Sequence, residues 1–216
     1  MKLKICGMRE PGNIAGIAGL NPDYMGFIFY EKSKRYVGEH FSEETLLKLP
    51  ATIKKVGVFV NQSPEVVAAQ VRAYGLDMVQ LHGDESPAEV EKVQLLLPDM
   101  PIVKAFGVDE EFDFSMVNGY KSYCDFFLFD TRVAGYGGSG KAFSWDVLKK
   151  YDNEIPFFLS GGIGVEELKG LGEVASTYNI HAIDVNSKAE ISPGLKDPEI
   201  VTSIKNTLDK LPCRKI

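Results

Sequence analysis

Cysteine, histidine and tryptophan are scarce in this chain, which holds three, three and one of them in 216 residues. Cys6, Cys124 and Cys213 are too scattered for a disulfide framework, and none stands in a CxxC spacing, so a cytoplasmic, reducing setting is the expectation. His40, His82 and His181 show no metal-ligand spacing, and no metal is expected. No apolar run reaches the about 20 residues a membrane-crossing helix needs, and the N-terminus lacks the charged, apolar and small-residue succession of a signal peptide. Hence no membrane partner is expected. Basic blocks are missing as well. With a net charge of −6 and no cluster of Lys and Arg, nucleic acid is not an expected partner. Any anionic ligand must therefore find its positive contacts locally. Linkers and low-complexity stretches are absent too, so residues 1–216 read as a single domain.

What the chain does have is a soluble globular balance, 44% apolar and 25% charged, and a repeating pattern. Short β-branched and aromatic runs recur throughout: LKICG, YMGFIF, KKVGVFV, MVQLHG, PIVKAFGV, FFLFDT, PFFLSGG and HAIDVNS. Most are continuously apolar, as parallel strands covered on both faces are. Helical stretches separate them, with SPEVV and SPAEV as clear N-terminal signals. The segments GNIAGIAGL and EFDFSMVNGY carry weaker helical signals. This α/β alternation predicts a single-domain (β/α)8 TIM barrel. An open doubly wound sheet is the rival, although no GxGxxG follows the first strand.

A barrel keeps its chemistry at the C-terminal strand ends. Those ends carry Cys6, the YEKSKRYV loop with Lys34 and Arg35, Asn61, then Gln80, His82 and Asp84, followed by Asp130, Gly161 with Gly162, and Asp184 with Asn186 and Ser187. Each has a structural alternative. A buried cysteine commonly acts as a small hydrophobe, an Asp caps turns, KSKR resembles a solvated loop, and a strand-end histidine is often simply satisfied. Placement favours function for Asp130, which closes an otherwise apolar strand; it strengthens the case for Cys6, which without a partner is not yet a catalytic residue. Glycines after the seventh strand and polar residues after the eighth suit a phosphate site, where backbone N–H groups need close approach.

In order along the chain, KICGMR, GFIFYEKSKRYV, VGVFVN, VQLHGDE, FLFDT, GGSGKAFSW, FLSGG and DVNSKAEISPGLKD resemble the phosphoribosylanthranilate isomerase family of tryptophan biosynthesis, in its stand-alone form. The resemblance spans essentially the full length. It implies a (β/α)8 barrel without cofactor or metal that performs an Amadori rearrangement on a small phosphorylated substrate, as a monomer or homodimer. By the same resemblance Cys6 is the general base, a thiol whose proton nearby positive charge would loosen, and Asp130 is the general acid. Arg35 would bind the anthranilate carboxylate, and Asp184 would contact ribose hydroxyls or support the acid–base pair. Gly161, Gly162 and the amides around Asn186 and Ser187 would hold the phosphate. GYGGSGK would close over the substrate.

Where the family pattern reads DVSSGVE, this chain reads DVNSKAE, with Asn186 and Lys188 for serine and glycine; SKR stands for SPR. These departures touch phosphate binding and leave Cys6 and Asp130 intact. The residues by themselves also admit another sugar-phosphate isomerase or epimerase barrel, or a non-catalytic barrel that binds a phosphorylated ligand.

Overall fold

Eight parallel strands close on themselves in chain order, and the closure is the pairing of the first strand with the last. The computed structural model describes residues 1–38, 41–131 and 144–211. His40, Cys213 and the GYGGSGK segment lie outside the described residues. Each strand matches one of the apolar runs: β1 (Lys2–Ile5), β2 (Tyr24–Ile28), β3 (Lys54–Phe59), β4 (Met78–Leu81), β5 (Ile102–Val108), β6 (Phe126–Thr131), β7 (Phe157–Leu159) and β8 (Ile180–Val185). A closed barrel leaves no unpaired edge, which rules out the open sheet.

Helices form where the start and stop chemistry is strong. Pro64–Tyr74 begins on Ser63, whose side chain accepts from the Val66 N–H, and ends on Gly75 in the left-handed region. Pro87–Leu96 starts with a reciprocal capping box between Ser86 and Glu89. The weak GNIAGIAGL signal does yield a helix, Pro11–Ala18. EFDFSMVNGY instead gives a 3-10 segment over Phe114–Tyr120, with the poor helix formers Asn118 and Gly119 near its end. None of the described helices is long and apolar enough to cross a membrane.

Register is locked from the base by a repeated device. Asp23, Asp77 and Asp125 each precede an even-numbered strand by one residue. Their carboxylates accept the N–H groups of Leu3, Lys55 and Ile102 at 2.8, 2.9 and 2.9 Å, at the start of the preceding odd-numbered strand. Hydrogen bonds to charged acceptors are worth about 1.5–3 kcal/mol each. They sit opposite the polar mouth.

Side chains inside the barrel form layers. The lower one is apolar and includes Tyr24, Met78, Val103, Leu128 and Phe158. At its rim the Tyr24 hydroxyl meets His181 Nε2 at 2.7 Å, and burial depresses the His181 imidazole to about 4. In the unfolded chain that ring titrates near its ordinary value of about 6.5. The unfolded state then binds the extra proton between these values, so His181 contributes stability above pH 6.5 that is lost as the pH falls toward 4. Thermal unfolding measured across this range should show a shallower acid decline in His181→Gln than in the wild type.

Candidate active site

Alternation along each strand decides which side chains face the axis above the apolar layer. From β1 come Lys4 and Cys6, from β4 Gln80 and His82, from β6 Asp130, and from β7 and β8 Ser160 and Asp184. All but Lys4, which lies beneath, line one pocket of about 710 Å³, counting its open mouth, a size suited to a small molecule. Cys6, Arg35, His82, Asp130 and Asp184 all line it. So do Gly161, Gly162, Asn186 and Ser187, so the structure gathers the whole candidate set. Ile28, Val58, Val60 and Ile163 add an apolar wall. Asn61 and Asp84 serve the loop instead: the Asn61 N–H donates to Glu85, and the Asp84 N–H donates to the Asn61 side chain.

Cys6 is 4% exposed, and Gly26 on β2 makes the room for it. A Cβ on Gly26 would come within 2.7 Å of the sulfur. Gly26→Ala should therefore displace the thiol and lower kcat by about 10- to 100-fold, since misplacement of about 1 Å can cost that much. Kinetics beside a melting curve would separate this from simple overpacking, which costs about 1–3 kcal/mol.

The charge around the thiol corrects one expectation. Burial raises the Cys6 thiol above its ordinary value; Lys4 and Lys196 pull it down without overcoming burial, and Asp184 adds to the rise. Positive charge is present, as expected, but the sulfur is too dry for it to win. Cys124, away from the pocket, is pushed by burial to about 12 and acts as a core residue.

Beneath Cys6 lies a buried polar floor. Lys4 Nζ donates to Asp184 Oδ1 and to Gln80 Oε1, both at 2.8 Å, and Ser160 Oγ donates to Asp184 Oδ2 at 3.1 Å. Burial alone would depress the Lys4 ammonium, but Asp184 and Cys6 outweigh it and the net shift is upward.

A second cluster organises the cationic side. Glu190 grips Arg35 along one edge, accepting from Nε at 2.8 Å and from Nη2 at 2.7 Å. This bond raises the Arg35 guanidinium. Lys196, fully buried, donates to Glu190 at 2.6 Å and to Asn186 Oδ1 at 2.7 Å, and burial lowers its ammonium to about 8. Burial would raise Glu190, yet its two cations hold it below the usual carboxylate range. Asn186 thus uses its side-chain oxygen on Lys196, which gives the departure from serine a structural role. Lys188 lines the mouth, 3.9 Å from Glu167.

Asp130 accepts the Thr131 N–H at Oδ1, 2.8 Å away, and turns Oδ2 toward His82 Nε2 at 3.5 Å. Gly161 packs against this strand end with φ +98°, and a Cβ there would stand 2.6 Å from the Thr131 nitrogen. Only glycine permits both the left-handed turn and that approach.

Lys4, Ser160, Glu190 and Lys196 are the site residues that the strand-end inspection passed over. Counting back by two from Cys6 and His82, or from Gly162 to Ser160, reaches the inward-facing members. Glu190 and Lys196 stand inside the DVNSKAEISPGLKD stretch, but nothing local in it shows that Glu190 pairs with Arg35, 155 residues away.

Comparison with known proteins gives a concordant result. The family described as "N-(5'phosphoribosyl)anthranilate (PRA) isomerase" matches residues 3–207. The N-(5'-phosphoribosyl)anthranilate isomerase of Parabacteroides distasonis is 42% identical over 98% of this chain and 93% of its own. The crystal structure of phosphoribosyl anthranilate isomerase from Thermotoga maritima superposes with a TM-score of 0.84 at 33% identity, covering 97% of this chain and 99% of its own. A solved isomerase in complex with reduced 1-(o-carboxyphenylamino)-1-deoxyribulose 5-phosphate superposes with a TM-score of 0.81 at 30% identity, covering 97% of this chain and 99% of its own.

Proposed function

This chain belongs to the N-(5'-phosphoribosyl)anthranilate isomerase family of tryptophan biosynthesis, and from that premise we propose that Cys6 and Asp130 are the base and acid of its Amadori rearrangement. One observation carries the assignment: a thiol from β1 and a carboxyl from β6 face the same pocket, with cations behind the thiol and at the rim.

The substrate carries two anionic ends, a carboxylate and a phosphate. Arg35 presents the edge not held by Glu190 to the carboxylate, in the bidentate manner suited to guanidinium. Gly161, Gly162 and Ser187 offer backbone N–H groups to the phosphate, with Lys188 adding charge at the rim. Asp184, fixed by Lys4 and Ser160, supports the floor beneath the ribose. Among the described residues, all those proposed to meet the substrate line one pocket of a single chain, so the reading holds for a monomer and a homodimer alike.

In the reactive arrangement the proton resides on Asp130 and the negative charge on Cys6, where Lys4 stabilises it. Asp130 gives that proton to the furanose ring oxygen, the C1′–O bond breaks, and a protonated Schiff base forms at C1′. Cys6 then takes the C2′ proton, and the electron pair left behind neutralises the Schiff base to give an enolamine. The enolamine becomes the ketone as C1′ gains a proton and the 2′-hydroxyl loses one. The pair begins with one proton, on the acid, holds none once the ring oxygen has taken it, and ends with one on the thiol; it resets by transfer through solvent.

Freshly generated phosphoribosylanthranilate loses its fluorescence on isomerisation, which provides the test. The wild type should consume it, and Asp130→Asn should be slower by about 10²- to 10⁴-fold in kcat, the usual worth of a general acid. Undiminished turnover by Asp130→Asn would remove the acid from its role.

A further inference from the structure

We propose that Gln80 and His82 form a one-way hydrogen-bond relay from Lys4 to Asp130, which fixes the His82 tautomer and steadies the charge Asp130 gains when it gives up its proton. The inference rests on Asp130 being the acid, and both relay members act as positioning residues.

Polarity follows from what each group can donate. An ammonium has no acceptor, so the Gln80 atom 2.8 Å from Lys4 Nζ must be the carbonyl oxygen. Gln80 is 1% exposed, which leaves no bulk water to satisfy the opposite amide orientation. Its NH2 group therefore faces His82 Nδ1, 2.6 Å away. A donor at that distance requires Nδ1 to be the bare nitrogen, which puts the ring proton on Nε2. Nε2 faces Asp130 Oδ2 at 3.5 Å, the longest link, of the kind that tightens only when substrate is bound.

The donors of the first two links thus point from β1 toward β6, beginning at a buried positive charge, and the Nε2 contact continues the line to Asp130; hydrogen bonds aligned this way polarise one another. The backbone that carries the ring is fixed by its own N–H groups. The His82 N–H donates to the Phe59 carbonyl at 2.8 Å, and the next residue, Gly83, donates its N–H to the Glu85 carboxylate at 3.0 Å. Asp130 Oδ1 is already occupied by the Thr131 N–H, so Oδ2 is the oxygen that carries the transferable proton. Once that proton has left, the Nε2–H is the donor facing the new charge, and a preorganised donor aimed where charge develops favours the transition state over the ground state.

The ring nitrogens of His82 can be read by 15N NMR in the wild-type protein, beside kinetics of three variants. Expected are a bare Nδ1 and a protonated Nε2 at neutral pH. In His82→Asn, which cannot reach Asp130, kcat should fall by about 10- to 100-fold with KM nearly unchanged, less than the 10²–10³ lost with a direct oxyanion donor. His82→Gln sets an amide N–H near the Nε2 position and should retain most of kcat. A protonated Nδ1, or a mixture of tautomers, would overturn the relay without involving catalysis. An inactive Asp130→Asn beside a fully active His82→Asn would overturn the positioning role alone. An active Asp130→Asn would bring down the acid assignment, and the role of the relay with it.

Discussion

Replacing Lys4 with methionine should destabilise the protein by about 3–5 kcal/mol, the cost of leaving a buried charge without its partner. Lys4 is completely buried and forms the ion pair across the β1–β8 seam that closes the barrel. Without it, Asp184 keeps only the Ser160 hydroxyl from this cluster, and the Gln80 carbonyl faces a methyl group. At this chain length each kcal/mol moves the melting midpoint by about 2–4 °C, so a drop of about 6–20 °C is expected in a circular dichroism melt.

Stability and catalysis can be separated by neutralising the partner as well. Lys4→Met with Asp184→Asn removes both charges and should recover a large part of the loss, giving a clear coupling energy in the double-mutant cycle. Activity should not recover. Lys4 is the foremost influence drawing the Cys6 thiol down against burial, so its loss leaves less thiolate at any given pH. Against Asp184→Asn alone, the double variant should be slower, because it holds less thiolate at any given pH. Additive stability losses would contradict the ion pair, and equal rates in the two backgrounds would contradict the support of the base.

The eight-strand alternation made the fold readable because parallel strands covered on both faces are continuous apolar runs, and all eight of them became barrel strands. Cys6 and Asp130 were readable as polar interruptions at the ends of such runs. The charge balance at Cys6 was not, because it compares burial with the pull of two lysines, and burial depends on how tightly Gly26 and the barrel close around the sulfur. Arg35 was visible as a cation, whereas its clamp was not: Glu190 reaches it, itself held by Lys196, from a short antiparallel pair after β8, Glu190–Ser192 with Leu195–Lys196, far along the chain. Gln80 and His82 stood out individually. Their direction as donors emerged only when Lys4 was found beneath them.

Cys6→Ala bears most directly on the assignment of the base. Losing one buried sulfur leaves only a small void, and Lys4 retains Asp184 and Gln80, so the fold and the binding surfaces should persist. The C2′ proton then has no acceptor in place, and general-base catalysis is worth about 10²–10⁴-fold. The decisive measurement is the rate of fluorescence loss from fresh phosphoribosylanthranilate with the wild type and with Cys6→Ala, beside the affinity of the same samples for the reduced product analogue. A rate lower by about 10² or more at nearly unchanged affinity is the expected result. A Cys6→Ala protein that isomerises at close to the wild-type rate would show that another group removes the proton.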